Sequence, residues 1–485
     1  MVFSSPRFFV FLGLLLLLLR QIRGQERQKA VLCVASCLFY AAWDYRYLAL
    51  LLLVSGIDYV CAAAIAGTEV RGQRRAWLAA SVVSNLGILA YFKYYGFFAS
   101  NLQALGLELP ALHILLPAGI SFYTFKSMSY TIDVYRGSLS PTRRWLDYAT
   151  FVSFFADLIA GPIVRASLFL PQLERSLGPT RERLRVGGSW FLIGLTKKML
   201  IADRLATVAD PVFANPGLYS GATIWIGVVA YTLQIYCDFS GYSDMAIGTA
   251  KMVGYDLPEN FHMPYLSTSL AEFWRRWHMT LSAWLRDYLY IPLGGSRQGE
   301  ARTYLNLFVT MLLGGLWHGA SWNFVLWGAL HGCGLAVQRF CSGRGLRVGP
   351  WVGAPATFLF VMLCWVPFRA PSLASAQVML EAMAGGGTGV ARWYPTAALW
   401  GLGLVAFGHV IGHAISRAPV TPHPRRPIHI FLAAGGATIA EDPLAGRYVR
   451  LGMDTVGGAF LVAFWMLVLF FFVNTKTTPF IYFQF

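Results

Sequence analysis

The chain has 485 residues, of which 56% are hydrophobic, 15% aromatic and only 13% charged. Polar side chains this scarce cannot cover a soluble domain of such length, so a soluble globular protein is excluded. The formal net charge is +16, but the basic residues gather in short segments between apolar runs, which fits membrane-flanking loops and not a nucleic-acid-binding face.

Apolar runs recur at Phe8–Leu19, Val31–Trp43, Tyr47–Ala66, Trp77–Phe98, Ile114–Val134, Ile224–Tyr236, Phe358–Trp365, Ala397–Ile411 and Phe460–Val473. Several extend through small or aromatic residues towards the roughly 20 residues of a spanning helix, and about ten to twelve spans are expected. The fold class expected is therefore all-α: a polytopic membrane protein forming one domain over 1–485, with N-terminal spans over 1–110, a core over 111–345 and C-terminal spans over 346–485. No small-x-small cleavage site follows the first run, which reads as an uncleaved span with Arg7 snorkelling. Arg20, Arg23, Arg27 and Lys29 lie between spans one and two, and Arg71, Arg74 and Arg75 between three and four. By the positive-inside rule that face is cytoplasmic and the N-terminus lies outside. Basic residues on both sides of "FVSFFADLIAGPIVR" predict a re-entrant hairpin turning at Gly161-Pro162. The seven cysteines show no Cys-x-x-Cys spacing and read as packing residues. The Pro-rich stretch near 417–430, "SRAPVTPHPRRPIHI", reads as a surface loop, with "AEDPLAGRYVRLGMD" as its continuation.

The most cationic apolar stretch is "FWRRWHMTLSAWLRDYLYIPLGG". Read as one helix over Glu272–Tyr290, stopped by Pro292 and Gly294-Gly295, it places Phe273, Trp274, Trp277, Leu281, Trp284, Leu285 and Tyr288 on one arc. Arg275, Ser282 and Arg286 form a stripe along one flank, with His278 on its border a turn from Ser282. Two readings stay open: an interfacial amphipathic helix with a packing histidine, or a cationic stripe that receives a polyanionic ligand, which the planar fork of arginine suits.

His318 follows "VTMLLGGLW" and precedes Gly319, Trp322 and Asn323. A histidine at membrane depth is a functional candidate, because neutral imidazole can take a proton from a hydroxyl and apolar surroundings favour that form. The alternative is a histidine hydrogen-bonded in a bundle core. His331 reads as packing, and the His409/His413 pair lacks a third metal ligand, so no metal is expected. Lys93, Lys126, Asp133, Lys197, Lys198, Asp238 and Asp244 sit in apolar context and are expected to form ion pairs. The G-x-S-x-G elbow, the Walker A loop, the His-x-x-x-x-Asp box and the His-Glu-x-x-His motif are all absent from the sequence.

These residues carry a resemblance. The stretches "MVFSSP", "LPAGISFYTFKSMSYTIDVYRG", "LIAGPIVR", "DFSGYSDMAIG", "NFHMPYLSTSLAEFWRRWHMTLSAWLRDYLYIPLGG", "LLGGLWHGASWNFVLWGALHG" and "PFIYFQF" closely resemble the membrane-bound O-acyltransferase family, and within it the bacterial alginate O-acetyltransferase branch. The resemblance implies helices around a central funnel or tunnel, an acyl donor entering from the cytoplasm and an acceptor from the far side. It implies that His318 of "WHG" is the catalytic histidine and that His278 of "RRWHM" is its second polar partner. Arg275, Ser282, Arg286, Trp317 and Asn323 then become candidate substrate-binding residues. It further implies acetyl-CoA as donor substrate with no tightly bound cofactor, an exopolysaccharide acceptor, a periplasmic SGNH-type partner and the bacterial inner membrane. The D-alanyl transferases of the teichoic-acid kind share "RWHM" and "WHG" and are the alternative; a transporter or flippase is a second, against which stands the lack of internal symmetry. The chain departs from the family where Ala156 and Asp157 stand in place of Pro and Gln or His, and where Cys237 replaces Phe. The Pro-rich segment near residue 420 has no family counterpart.

Overall fold

The computed structural model describes residues 2–467 apart from 108–109, 111, 113, 176–177, 347, 418–436, 443, 445, 452–459 and 461. The Pro-rich stretch, almost all of it, and "PFIYFQF" lie outside the described residues. The chain forms two compact units, Met1–Phe191 with Met245–Pro258, and Leu192–Asp244 with Glu259–Phe485. Five helical stretches among the described residues are long and apolar enough to cross a membrane: Tyr45–Ala66, Arg71–Ala104, Gly221–Val253, Pro350–Arg369 and Thr396–Arg417.

In the first unit α1 (Pro6–Gln21) begins where the Ser5 hydroxyl accepts from Phe8 N and Pro6 supplies a preset φ. It is followed by α2 (Gln25–Ala41), α3 (Tyr45–Ala66), α4 (Arg71–Leu89) and α5 (Tyr95–Ala104). The run expected to be helical from Ile114 starts its helix only at Ile120, because Pro117 and a left-handed Gly119 precede it. That helix is α6 (Ile120–Arg136), followed by α7 (Trp145–Ser153), α8 (Ala166–Leu173) and α9 (Arg181–Thr196), whose last residues belong to the second unit. Residues 154–164, with Gly161-Pro162 among them, form an irregular, wholly buried segment between α7 and α8. Non-helical backbone is tolerated there because protein encloses it and supplies partners. Asp157, one of the departures from the family pattern, accepts from Lys126 Nζ at 2.7 and 2.8 Å. A second buried carboxylate, Asp58, accepts from Ser81, Asn85 and Ser127.

The second unit adds α10 (Asp203–Ala214), most of α11 (Gly221–Val253), α12 (Leu270–Arg276), α13 (Met279–Leu285), α14 (Glu300–His318), α15 (Trp322–Gly343), α16 (Pro350–Arg369), α17 (Leu373–Glu381) and α18 (Thr396–Arg417). Its buried charges are paired as expected. Lys198 bridges Asp238 at 2.6 Å and Asp203 at 2.9 Å, and Lys197 meets Asp244 at 2.6 Å. The helices α14 and α15 pack closely through glycine: a Cβ on Gly328 would lie 2.5 Å from the Met311 carbonyl oxygen, and one on Gly332 3.0 Å from Phe308 Cα. Glycines four apart let the two backbones approach where lipid supplies no hydrophobic drive.

The helical architecture carries one small addition near the end of the chain. "AEDPLAGRYVRLGMD", expected as loop, contributes an antiparallel hairpin of β1 (Ala437–Asp442) and β2 (Gly446–Leu451), with Glu441 opposite Arg447.

Candidate active site

The site of interest lies in the second unit and starts with a broken helix. Ser269 caps α12 by accepting from Glu272 N. The sequence predicts that this helix continues to Tyr290. Instead it stops at Arg276, Trp277 is extended, and His278 takes a left-handed conformation with φ 41° and ψ 53° before α13 begins at Met279. The cause is tertiary. The loop from Asn260 to Met263 inserts its own backbone: His262 N donates to Arg276 O at 2.8 Å, and Met279 N donates to Asn260 O at 2.9 Å. These bonds take groups that a continuous helix would pair internally. After Leu285 the chain widens into a π-helical turn over Arg286–Tyr290 and ends before Pro292, as the stop signals predict.

The break dissolves the continuous stripe. Arg275 is exposed on α12. Ser282 turns its hydroxyl to the Trp277 carbonyl at 3.2 Å. Arg286 is exposed in the π turn, where its fork embraces Asp287 at 2.6 and 3.0 Å. His278, instead of sharing their flank, is fully buried. Its Nδ1 stands 3.1 Å from Asn260 Oδ1, and its ring meets Phe239 at 4.7 Å, Trp317 at 6.0 Å and Phe261 at 6.3 Å between centroids. Burial pushes its pKa down to about 3, so the imidazole is neutral.

His318 is the last residue of α14 and is 4% exposed. Its ring packs against Trp317 at 5.0 Å, Trp327 at 5.1 Å and Phe368 at 5.3 Å. Trp317 therefore touches both histidines, which the sequence separates by forty residues. The turn after His318 is held tightly: a Cβ on Gly319 would strike the Phe324 ring, and Asn323 Nδ2 donates to the Ala370 carbonyl at 2.7 Å. Asn323 thus ties the start of α15 to the end of α16. His331 is buried behind Trp327 at 4.8 Å. His409 binds the Val405 carbonyl with Nδ1, and among the described residues no three His, Cys, Asp or Glu side chains gather as a metal site.

Sequence reasoning missed Asn260, Phe239, Trp327 and Phe368. The available signal for Asn260 was a polar residue in a short proline-bounded segment, "PENFHMP", which had to be loop beside "RRWHM". Two buried histidines that both meet one indole, among aromatic rings, can orient a hydroxyl and take its proton.

The two histidines thus sit in a multi-pass helical membrane protein. The model of the MBOAT, membrane-bound O-acyltransferase, family matches residues 139–344. The chain is 47% identical over 394 residues to the probable alginate O-acetylase of Pseudomonas putida, covering 79% of this chain and 80% of that protein. It is 47% identical over 394 residues to the probable alginate O-acetylase of Azotobacter vinelandii, covering 79% and 78%. To the peptidoglycan O-acetyltransferase of Helicobacter pylori it is 38% identical over 424 residues, covering 79% and 80%. The chain belongs to the membrane-bound O-acyltransferase family and is an O-acyltransferase.

Proposed function

We propose that this enzyme moves an acetyl group from cytoplasmic acetyl-CoA across the bacterial inner membrane for O-acetylation of an exported polysaccharide of the alginate kind. The observation that carries the reading is the burial of His318 among Trp317, Trp327 and Phe368 at the end of α14. Nε2 or Nδ1 of His318 takes the proton of the acceptor hydroxyl as its oxygen attacks the thioester carbonyl. The carbon–sulfur bond then breaks, and the departing CoA thiolate receives a proton. His278 orients the hydroxyl. Arg275 and Arg286, both exposed, hold CoA phosphates, while Trp317 walls the reacting groups off from water. A periplasmic SGNH-type partner accepts the acetyl group and delivers it to the polymer, and the N-terminus lies on the periplasmic side, by the placement of basic loops. The names of the relatives at 38–47% identity, all acetyl-transferring, support acetyl over a D-alanyl group.

The test is His318→Ala. A general base contributes roughly a hundredfold or more, so polymer acetylation and acetyl-CoA turnover by membranes should both fall to background at unchanged protein level. Acetylation near the parent level would remove the assignment.

A further inference from the structure

The hydrogen bonds around Asn260 determine where the proton of His278 sits. The backbone N–H of Thr280, which can only donate, points at one terminal atom of the Asn260 amide at 3.3 Å, and the Thr280 hydroxyl lies 2.9 Å from the same atom. That atom must be the oxygen, which leaves Nδ2 to donate to Ser243 Oγ at 3.1 Å. The amide oxygen also faces His278 Nδ1 at 3.1 Å. A carbonyl oxygen only accepts, so Nδ1 carries the proton, and a neutral ring then bears its lone pair on Nε2. The same residue holds the backbone, since its main-chain oxygen accepts from Met279 N and keeps His278 left-handed. Strain of this kind persists only where surroundings over-determine it.

We infer that Asn260 is a positioning residue of the acyl transfer: it locks His278 into the Nδ1–H tautomer, so that Nε2 accepts the hydrogen bond of the incoming hydroxyl. The inference rests on the reading of His318 and His278 as the pair that handles the hydroxyl. The charged and titratable groups on the elements packed around the ring include Asp238 and Asp244 of α11, held by Lys198 and Lys197; Glu259 and His262 of the loop, 3.1 Å apart; Arg275 and Arg276 of α12, the latter held by Glu272; and His318 of α14.

Two variants test it. Asn260→Asp keeps the acceptor and places an anion against Nδ1–H, which favours imidazolium. Protonated His278 cannot accept at Nε2, so the ratio of turnover at pH 5.5 to that at pH 7.5 should fall on the order of threefold or more relative to the parent. Asn260→Leu keeps the volume and frees the tautomer, so kcat should fall on the order of tenfold or more with KM for acetyl-CoA unchanged. A merely structural Asn260 would leave the pH profile unmoved. The inference is overturned if the Asp variant keeps the pH ratio of the parent, or if both variants lose activity only in proportion to protein level. An active His318→Ala enzyme would remove the underlying reading; an inactive one alongside an unshifted Asp profile would remove only this inference.

Discussion

Trp274 of α12 donates its indole N–H to Nδ1 of His331 on α15 across 3.3 Å. Because Nδ1 accepts, the proton of the neutral ring sits on Nε2, the opposite arrangement to that at His278. His331 makes edge contacts with Trp327 at 4.8 Å and Phe360 at 5.6 Å, and so steadies the indole that walls His318. His331→Leu strands the Trp274 N–H, at about 1–3 kcal/mol, and should lower the melting temperature while kcat stays within about threefold of the parent. His331→Gln, which keeps an acceptor, should recover most of the stability. Loss of turnover at unchanged melting temperature would give His331 a chemical role.

The left-handed backbone of His278 sets a rank order among its variants. Asparagine tolerates that conformation and retains a hydrogen-bonding side chain, glycine tolerates it with none, and leucine carries roughly 1–2 kcal/mol of strain there. His278→Asn should keep measurable acetylation, His278→Gly should reach parental membrane levels without activity, and His278→Leu should lose both. Were the Asn variant as inactive as His318→Ala at equal protein level, His278 would itself exchange a proton.

Arg286 keeps its side chain 62% exposed with its fork on Asp287. A phosphate clamp acts alike on ground and transition states, so Arg286→Ala should raise KM for acetyl-CoA several-fold and leave kcat near parental. Asp287→Asn, which releases the fork, should lower KM. Steady-state kinetics on membranes decide; a collapsed kcat with unchanged KM would move Arg286 to the chemical step.

Gly328 shows what holds the WHG turn in place. Gly328→Ala pushes a methyl group against the Met311 carbonyl oxygen, and such overpacking costs about 1–3 kcal/mol. It should also shift Trp327 relative to His318, so specific activity falls along with protein level. Gly343→Ala, at the far end of α15 with nothing within 4 Å, is the control and should be neutral or slightly stabilising. Thermal unfolding in detergent and activity per mole of protein separate the two.

Much of this was legible in the sequence. The apolar runs marked helices, Lys126, Lys197 and Lys198 found aspartates, and Pro292 with the glycines after it ended the cationic stretch where expected. His318 was legible because glycines and tryptophans around a histidine stand out in an apolar run. The setting of His278 was not. A helical projection assumes that hydrogen bonds stay within the segment, whereas the ones that break this helix come from Asn260 and His262, more than ten residues upstream. Periodicity carries no trace of them, so it laid Arg275, Ser282, Arg286 and His278 along one flank that does not exist.

The β1–β2 hairpin meets the same loop. Glu259 N donates to the Leu444 carbonyl in the hairpin turn at 3.2 Å, so the residue just before Asn260 waits for a partner 185 positions further along the chain. Ribosomes deliver chains from the N-terminus at about 5–20 residues per second, which separates the two arrivals by roughly ten seconds or more. The loop that sets His278 thus emerges with that N–H uncapped, and its partner comes only once the hairpin has been made. Maturation of the site is in this way tied to the synthesis of a segment far beyond it.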